Sequence, residues 1–292
     1  MRICIIGAGA IGSTFAFQLA RAGHEVTVVA RGARLAEVER DGIVTTRGTA
    51  TVRSVGALPE QDPFDLVLVT VLPWQIDPLL PALRESAASV VMFMFNTFGG
   101  LDRLRESVGD ARFAVGFPAM LSTLENGKLD AFVVPRIMSL FQITTVGGVN
   151  AEAFRDVFSR AGIATVVSGD MDSWLRTHAA LMAPIMAGGA AASARGSGVR
   201  WGEAREFARG IGAGFDIVQR GGHRLTPWNI ALVKYIPTFV LTFALWLASR
   251  MPSARAMGAR GPAEPRFLID AICADAGDAS ADAKAALQKI RP

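Results

Sequence analysis

Two cysteines, one tyrosine, three histidines and, by position, only four lysines (Lys128, Lys234, Lys284 and Lys289) occur in 292 residues. Cys4 and Cys273 stand at opposite ends of the chain and Cys4 lies in an apolar run, so neither a disulfide framework nor an oxidising compartment is implied. With lysine scarce, the excess of 30 basic over 26 acidic residues and the pI of about 9.6 rest on arginine. Those arginines are scattered, which argues against a nucleic-acid surface and suits a small phosphate-bearing ligand. Charged residues are 19% against 51% hydrophobic, too apolar a balance for disorder. Long apolar runs are absent too. Ile230–Ala248 is interrupted by Lys234 and Pro237, and Phe239–Ala248 covers half of the roughly 20 residues a bilayer crossing needs, so a buried helix is expected and a membrane is not. Only six residues precede the first glycine, short of the apolar region of about 7–15 residues in a signal peptide, and a cytoplasmic protein is expected.

What is present is enough chain for two domains. Strand-like and helix-like stretches alternate at first: Ile3–Ile6, Ala10–Ala22, Glu25–Ala30, Asp65–Val71 and Ser89–Phe95, with a short hairpin expected in Gly42–Val55. This pattern predicts an α/β, Rossmann-type doubly wound sheet. Leu101–Val108 reads as a helix. Arg112–Gly116 and two runs, Ala131–Val134 and Ile137–Thr144, joined by Pro135-Arg136, predict an antiparallel end to that sheet. Beyond Asp170 the pattern turns helical, in Ser173–Ala192, Trp201–Arg220, Pro227–Arg250 and Pro265–Ala276, with glycine- and arginine-rich connections at Gly188–Gly198 and Met251–Pro262. The expected division is a nucleotide-binding domain at 1–167 and an all-helical second domain at 168–292.

The chemistry concentrates near the start. Gly7-Ala8-Gly9-Ala10-Ile11-Gly12 follows a strand and opens a helix, where Gly7 permits the turn, Gly9 a close pyrophosphate and Gly12 tight helix–sheet packing. An NAD site would place Asp or Glu about 20 residues on, at the end of the second strand. Here stands Arg31, whose guanidinium can fork onto a 2′-phosphate, with Arg34 as a helper, so NADP is expected. FAD is the remaining option, and no acidic ribose partner supports it. A plain turn and a surface charge are the competing readings of these residues.

With those residues placed, the chain resembles the ketopantoate reductase family. The resemblance rests on Arg2–Gly12, on Gly23-His24-Glu25-Val26 leading to Arg31, on Asp65-Leu66-Val67-Leu68-Val69-Thr70 with Trp74-Gln75, on Asn96, and on Trp174. It implies an NADPH-dependent reductase of a small 2-oxo acid or ketone, acting as a homodimer through its helical domain, with no metal implied. It places Leu72 at the cofactor, where relatives carry a lysine, and Asn96 at the nicotinamide ribose or substrate, although Asn96 can equally cap the helix that follows. Matching by Trp174 puts Arg176 where the family has a catalytic lysine, and Ala180 and Pro184 where it has asparagines, which implies a less polar substrate. Arg176 can stabilise an alkoxide, but guanidinium groups titrate above about 12 and donate protons poorly. His178 is a candidate acid, opposed by its place about 200° around the helix from Arg176. Glu264 matches a family glutamate or is a first-turn carboxylate favoured by the helix dipole. Lys234 is either an alternative donor or a snorkelling surface lysine. His24 and His223 read as structural. A non-catalytic NADP-binding regulator is the competing functional class, and contact of Ile236–Ala248 with a membrane or partner is a third reading, set against burial in the core or a dimer interface.

Overall fold

Alternating apolar, β-branched segments and amphipathic helices produce a layered α/β unit in the amino-terminal half. The computed structural model describes residues 1–133, 143–252, 258–259, 261–277 and 280–292. Strands β1 (Arg2–Ile6), β2 (Glu25–Val29), β3 (Ile43–Thr45), β4 (Gly48–Ala50), β5 (Arg53–Val55), β6 (Leu66–Val69), β7 (Val91–Met94), β8 (Phe113–Phe117), β9 (Met120–Glu125), β10 (Lys128–Val133), β11 (Thr144–Gly148) and β12 (Thr165–Val167) are interleaved with α1 (Ala10–Arg21), α2 (Gly32–Asp41), α3 (Leu80–Glu85), α4 (Leu101–Val108) and α5 (Ala151–Arg160).

Eight strands form the main sheet in the order β12-β11-β8-β7-β6-β1-β2-β5. All neighbours are parallel except β11 and β8. Strands β1, β6 and β7 are apolar and almost wholly buried, as expected when helices cover both faces of a parallel sheet. The order reverses around β1, because β2 lies on one side of it and β6 on the other. Such a reversal opens a crevice at the carboxyl ends of the strands.

The antiparallel end predicted for this sheet exists, as β11 on β8, but one of its expected strands lies elsewhere. Strand β10 turns back on β9 and joins the β3–β4 hairpin to make a second, four-stranded sheet ordered β4-β3-β10-β9. Helix α1 touches strands of both sheets, and Thr14 and Ser122 share a hydroxyl–hydroxyl hydrogen bond of 2.8 Å between α1 and β9. The hairpin expected in Gly42–Val55 is confined to β3 and β4, while β5 adds to the main sheet beside β2. The turn at Pro135-Arg136 and most of the run that follows it lie outside the described residues. Phe15 of α1 packs on Phe158 of α5 at 5.3 Å, both fully buried.

The helical half contains α6 (Met171–Arg195), α7 (Trp201–Arg220), the short α8 (Trp228–Ala231), α9 (Thr238–Ala248), α10 (Ala263–Asp275) and α11 (Ala281–Lys289). Helix α6 runs into the connection expected at Gly188–Gly198, because its alanines stay buried to Ala192 and give the helix a packed face. The helix expected over Pro227–Arg250 is broken: a 3₁₀ turn at Leu232–Tyr235 is followed by Ile236-Pro237, and α9 starts afresh. The chain divides into two compact units, Met1–Asn96 with Gly100–Met171, and Thr97–Gly99 with Asp172–Pro292.

Helix α1 lies very close to the turn after β1. A Cβ on Gly12 would lie 1.9 Å from the Gly7 carbonyl oxygen and 2.5 Å from Thr70 Oγ1. Gly12→Ala is therefore expected to destabilise the protein by about 2 kcal/mol net, overpacking outweighing the roughly 1 kcal/mol that alanine gains in helix propensity. An unchanged urea midpoint in that variant would contradict the packing.

Candidate active site

Four loops follow the carboxyl ends of neighbouring parallel strands: Gly7–Gly12 after β1, Arg31 after β2, Thr70–Leu72 after β6 and Asn96 after β7. Gly7 has φ +106, a conformation that favours glycine, and its N–H donates to the Val29 carbonyl at 3.3 Å. Thr70 Oγ1 sits 3.0 Å from both the Ile6 and Gly7 carbonyl oxygens and ties the β6 loop to the turn. Gly9 caps α1 without any side-chain bond, no acidic residue lies in the first turn, and a Cβ at Gly9 would meet nothing within 4 Å. First-turn N–H groups of a helix lack intrahelical acceptors, so this end offers donors, positive dipole and open space to an anion. Ala8 is buried, and Ala10 and Ile11 are half-buried.

The two arginines after β2 differ sharply. Arg31 caps α2 with extended backbone and is exposed, and its side chain forms neither a hydrogen bond nor an ion pair among the described residues. Arg34 is fully engaged: Nε donates to the Ala8 carbonyl at 3.1 Å, Nη2 to Ser13 Oγ at 3.0 Å and Nη1 to Glu37 at 3.0 Å. Ser13 Oγ also donates to Ala8 O at 3.1 Å. Arg34 thus clamps the glycine turn from below, a role that sequence reasoning missed because its partners are 26 and 21 residues away.

Leu72 is exposed and its N–H donates to the Gln75 side chain at 3.1 Å, so this loop presents an apolar side chain and no cation at that position. Asn96 is buried, and its Oδ1 has no hydrogen-bond partner. The helix after it is capped by Gly100 in the left-handed region without side-chain help, so Asn96 does not serve as the cap. A buried amide oxygen left unsatisfied is costly and invites a donor from a ligand.

In the second unit, Arg176 is buried among four neighbours. Nε donates to Asp172 at 3.1 Å and Nη1 to Asp275 at 2.7 Å, while the guanidinium lies over Phe98 at 5.0 Å and against Gly99, where a Cβ would approach Nη2 to 2.7 Å. The acids that hold it were invisible in sequence; Asp275 is 99 residues distant. Asp172 also faces His223 Nδ1 at 3.6 Å, and Ser173 lies 3.4 Å from the same nitrogen. Ala180 and Pro184, one and two turns beyond Arg176, pack on α7 at Gly214 and Gly210. Where the resemblance implies asparagines, this chain has a helix–helix contact.

His178 is completely buried and stacks on Trp174, with ring centroids 5.0 Å apart and planes within 8°. Burial pushes its imidazole down to about 3, so it stays neutral at physiological pH. That runs against the expectation of a candidate acid, because the imidazolium that would give up its proton is not populated there. Glu264 sits half-buried in the first turn of α10. Lys234 is bound to Asp216 at 2.8 Å and to Gln219, which fastens it to α7 rather than leaving it a mobile donor. The Cys4 thiol is pushed up to about 12 by burial and is inert.

Residues 3–130 match the family model described as ketopantoate reductase PanE/ApbA. The 2-dehydropantoate 2-reductase of Vibrio cholerae is 30% identical over 173 residues, 55% of this chain and 53% of that protein. The chain spans about half the length of the curated relatives it matches. Among solved structures, D-mandelate dehydrogenase with NADH and anilino(oxo)acetate has a TM-score of 0.73 at 16% identity, covering 100% of this chain and 98% of that one. A PanE/ApbA family ketopantoate reductase from Ralstonia eutropha JMP134 has a TM-score of 0.73 at 18% identity, with the same coverage. These likenesses extend the fold over the helical unit.

The depressed imidazole makes one prediction. His178 takes up a proton when the chain unfolds below about pH 6.5 but not while folded, so the stability it contributes is present above 6.5 and lost as the pH falls toward 3. Between pH 7 and 5 the wild type is expected to lose about 2 kcal/mol more than His178→Phe, read from urea midpoints at both pH values.

Proposed function

We propose, starting from residues 3–130 as a member of the ketopantoate reductase PanE/ApbA family, that this protein is an NADPH-dependent reductase acting on a small carbonyl compound. The observation that carries the reading is the pair of features after β1 and β2: an acid-free helix start with open space at Gly9, and the uncommitted guanidinium of Arg31. The residues present fit the cofactor. Backbone N–H groups of Gly7–Gly12 would take the pyrophosphate, Arg31 the 2′-phosphate, Leu72 an apolar part of the molecule, and Asn96 Oδ1 a donor from the ribose or nicotinamide side. NADPH when bound supplies the hydride.

The chain's own work is to bind, orient and stabilise charge. Arg34 holds the Ala8 carbonyl down and so keeps the neighbouring N–H groups available. It is a positioning residue. Arg176 is the candidate for the carbonyl oxygen, through Nη2, the nitrogen that neither Asp172 nor Asp275 uses. Two carboxylates on one guanidinium dilute its positive field, so Arg176 serves better as a hydrogen-bond donor than as an anchor for a substrate carboxylate. A guanidinium is in general a poor proton donor and His178 is neutral and buried, so the proton for the alkoxide comes from water. Glu264 is assigned to the substrate side on the resemblance alone. The alternative of a non-catalytic regulator draws no support from the family or from relatives named as reductases.

Two measurements test this. Arg31→Asp is expected to weaken NADPH by about 10–100-fold while sparing NADH, and Arg34→Met to weaken both cofactors by the same factor, read by calorimetric titration. Equal affinity of the wild type for NADPH and NADH would refute the role of Arg31. In stopped flow across 2-oxo acids, ketones and aldehydes, bound NADPH is expected to be oxidised fastest by carbonyl compounds without a carboxylate. No oxidation by any of them would exclude a carbonyl reductase.

A further inference from the structure

Helix α9 exposes Phe239 and Phe243 instead of burying them, which corrects the expectation of a buried helix, and nothing in the structure shows what covers that side. The groups around Arg176 are more telling. Arg176 is 8% exposed, whereas the side chains of the two acids that hold it, Asp172 and Asp275, are 38% and 37% exposed. One buried cation between two half-exposed anions leaves one negative charge in excess. The two anions are not equivalent. Asp172 Oδ1 accepts from Arg176 Nε and Oδ2 lies 3.6 Å from His223 Nδ1, so both oxygens have a neighbour. Asp275 Oδ2 accepts from Nη1 at 2.7 Å, and Oδ1 has no hydrogen-bond partner among the described residues.

Asp275 also stands where an anion is disfavoured. It is the last residue of α10, the end at which the helix dipole favours cations, and no basic residue lies in that last turn. An amide oxygen would accept from Nη1 as well as a carboxylate oxygen does, so what the carboxylate adds is charge. On the same guanidinium, neither acid uses Nη2, and Gly99 presents no side chain against it. Nη2 and Asp275 Oδ1 thus belong to one bonded pair of side chains, a cationic donor beside an anionic acceptor. A small molecule that matches both has an acceptor oxygen and, on a nearby carbon, a cationic N–H donor. Charge-assisted hydrogen bonds of that kind are about twice as strong as neutral ones. A carboxylate in the second place would meet Asp275 with like charge and lose affinity. A bare metal ion fits less well, because the guanidinium lies between the two acids and repels it.

We propose that Asp275 is a specificity-determining residue and that the preferred substrate is a small amino ketone or amino aldehyde, its carbonyl oxygen on Arg176 Nη2 and its ammonium group on Asp275 Oδ1. This rests on the reductase reading and narrows its substrate class. The carbonyl carbon gains the hydride that NADPH supplies, the π electron pair moves to oxygen, and water protonates that oxygen, leaving NADP⁺ and an amino alcohol. The ammonium keeps its protons and stabilises the developing alkoxide, which offsets the lack of a proton donor. The test compares three compounds that share a methyl ketone and differ in charge: aminoacetone, hydroxyacetone and pyruvate. At pH 7, kcat/KM for NADPH oxidation is expected to fall about 10-fold at each step in that order. The first step is expected to shrink about 3-fold when salt rises from about 0.05 to about 0.5 M, since the carboxylate is half-exposed. Asp275→Asn is expected to lower the aminoacetone-to-hydroxyacetone ratio about 10-fold, through KM more than kcat, and Asp275→Glu to restore it. Taking the ratio cancels any general loss from a loosened Arg176. If Asp275→Asn does not fold, the wild-type order and its salt dependence decide. Equal values for the three compounds, pyruvate as the best of them, or a folded Asp275→Asn with the wild-type ratio would each overturn the inference and leave the reductase standing. Inertness of all three while another carbonyl compound is reduced would do the same; inertness of every carbonyl compound, with NADPH bound by calorimetry, would remove the reductase reading as well.

Discussion

Everything at the candidate site depends on the absence of one side chain. Gly12 lets α1 lie so close to the turn after β1 that a Cβ would collide with the Gly7 carbonyl. That approach aims the first turn of α1 along the crevice at the carboxyl ends of the strands and brings Thr70 within reach of the same carbonyl. Arg34 then reaches up from α2 to Ala8 and Ser13 and holds the turn from the other side. An anion site made of backbone N–H groups works only if those groups are fixed beforehand, since ordering a loop on binding would consume much of the affinity. Gly12, Thr70 and Arg34 do that fixing through close packing and hydrogen bonds to the turn.

The second unit shows how one residue type changes use when its surroundings change. Arg176 occupies the place where the family resemblance implies a lysine, yet it is also the knot that joins the start of α6 to the end of α10 and to the Phe98-Gly99 segment. A guanidinium suits this position because its planar fork can serve two carboxylates and still lie flat on a ring, which an ammonium cannot do. A guanidinium is a poor proton donor, and on the following turns of the helix Ala180 and Pro184 meet the glycines of α7.

Several of these features were legible in the chain. The glycine turn, the first two strands, Leu101–Val108 and Trp201–Arg220 follow from local spacing and hydrophobic period, and they stand where that spacing put them. The position of Arg31 was legible because it lies close in sequence to the second strand. Arg34 was read as a partner of the ligand and serves the loop instead, since a hydrogen bond to a carbonyl 26 residues away leaves no local trace. His178 had the right chemistry for an acid, and its burial against Trp174, a tertiary fact, removes it. Strand β10 was recognised as a strand and assigned to the wrong sheet, because alternation says that a segment is extended but not which edge it joins.

Sequence by itself determined the local instructions: which stretches are extended or helical, where a turn demands glycine, and that a cation rather than a carboxylate closes the second strand. These depend on backbone sterics and on neighbours within a few residues. Only the tertiary structure decided which polar groups found partners and which apolar faces found cover. Pairing Arg176 with Asp275, leaving Arg31 uncommitted and exposing one side of α9 all depend on segments far apart in the chain meeting, or failing to meet, in space. Such encounters are selected by the packing of the whole, and a linear pattern does not record them.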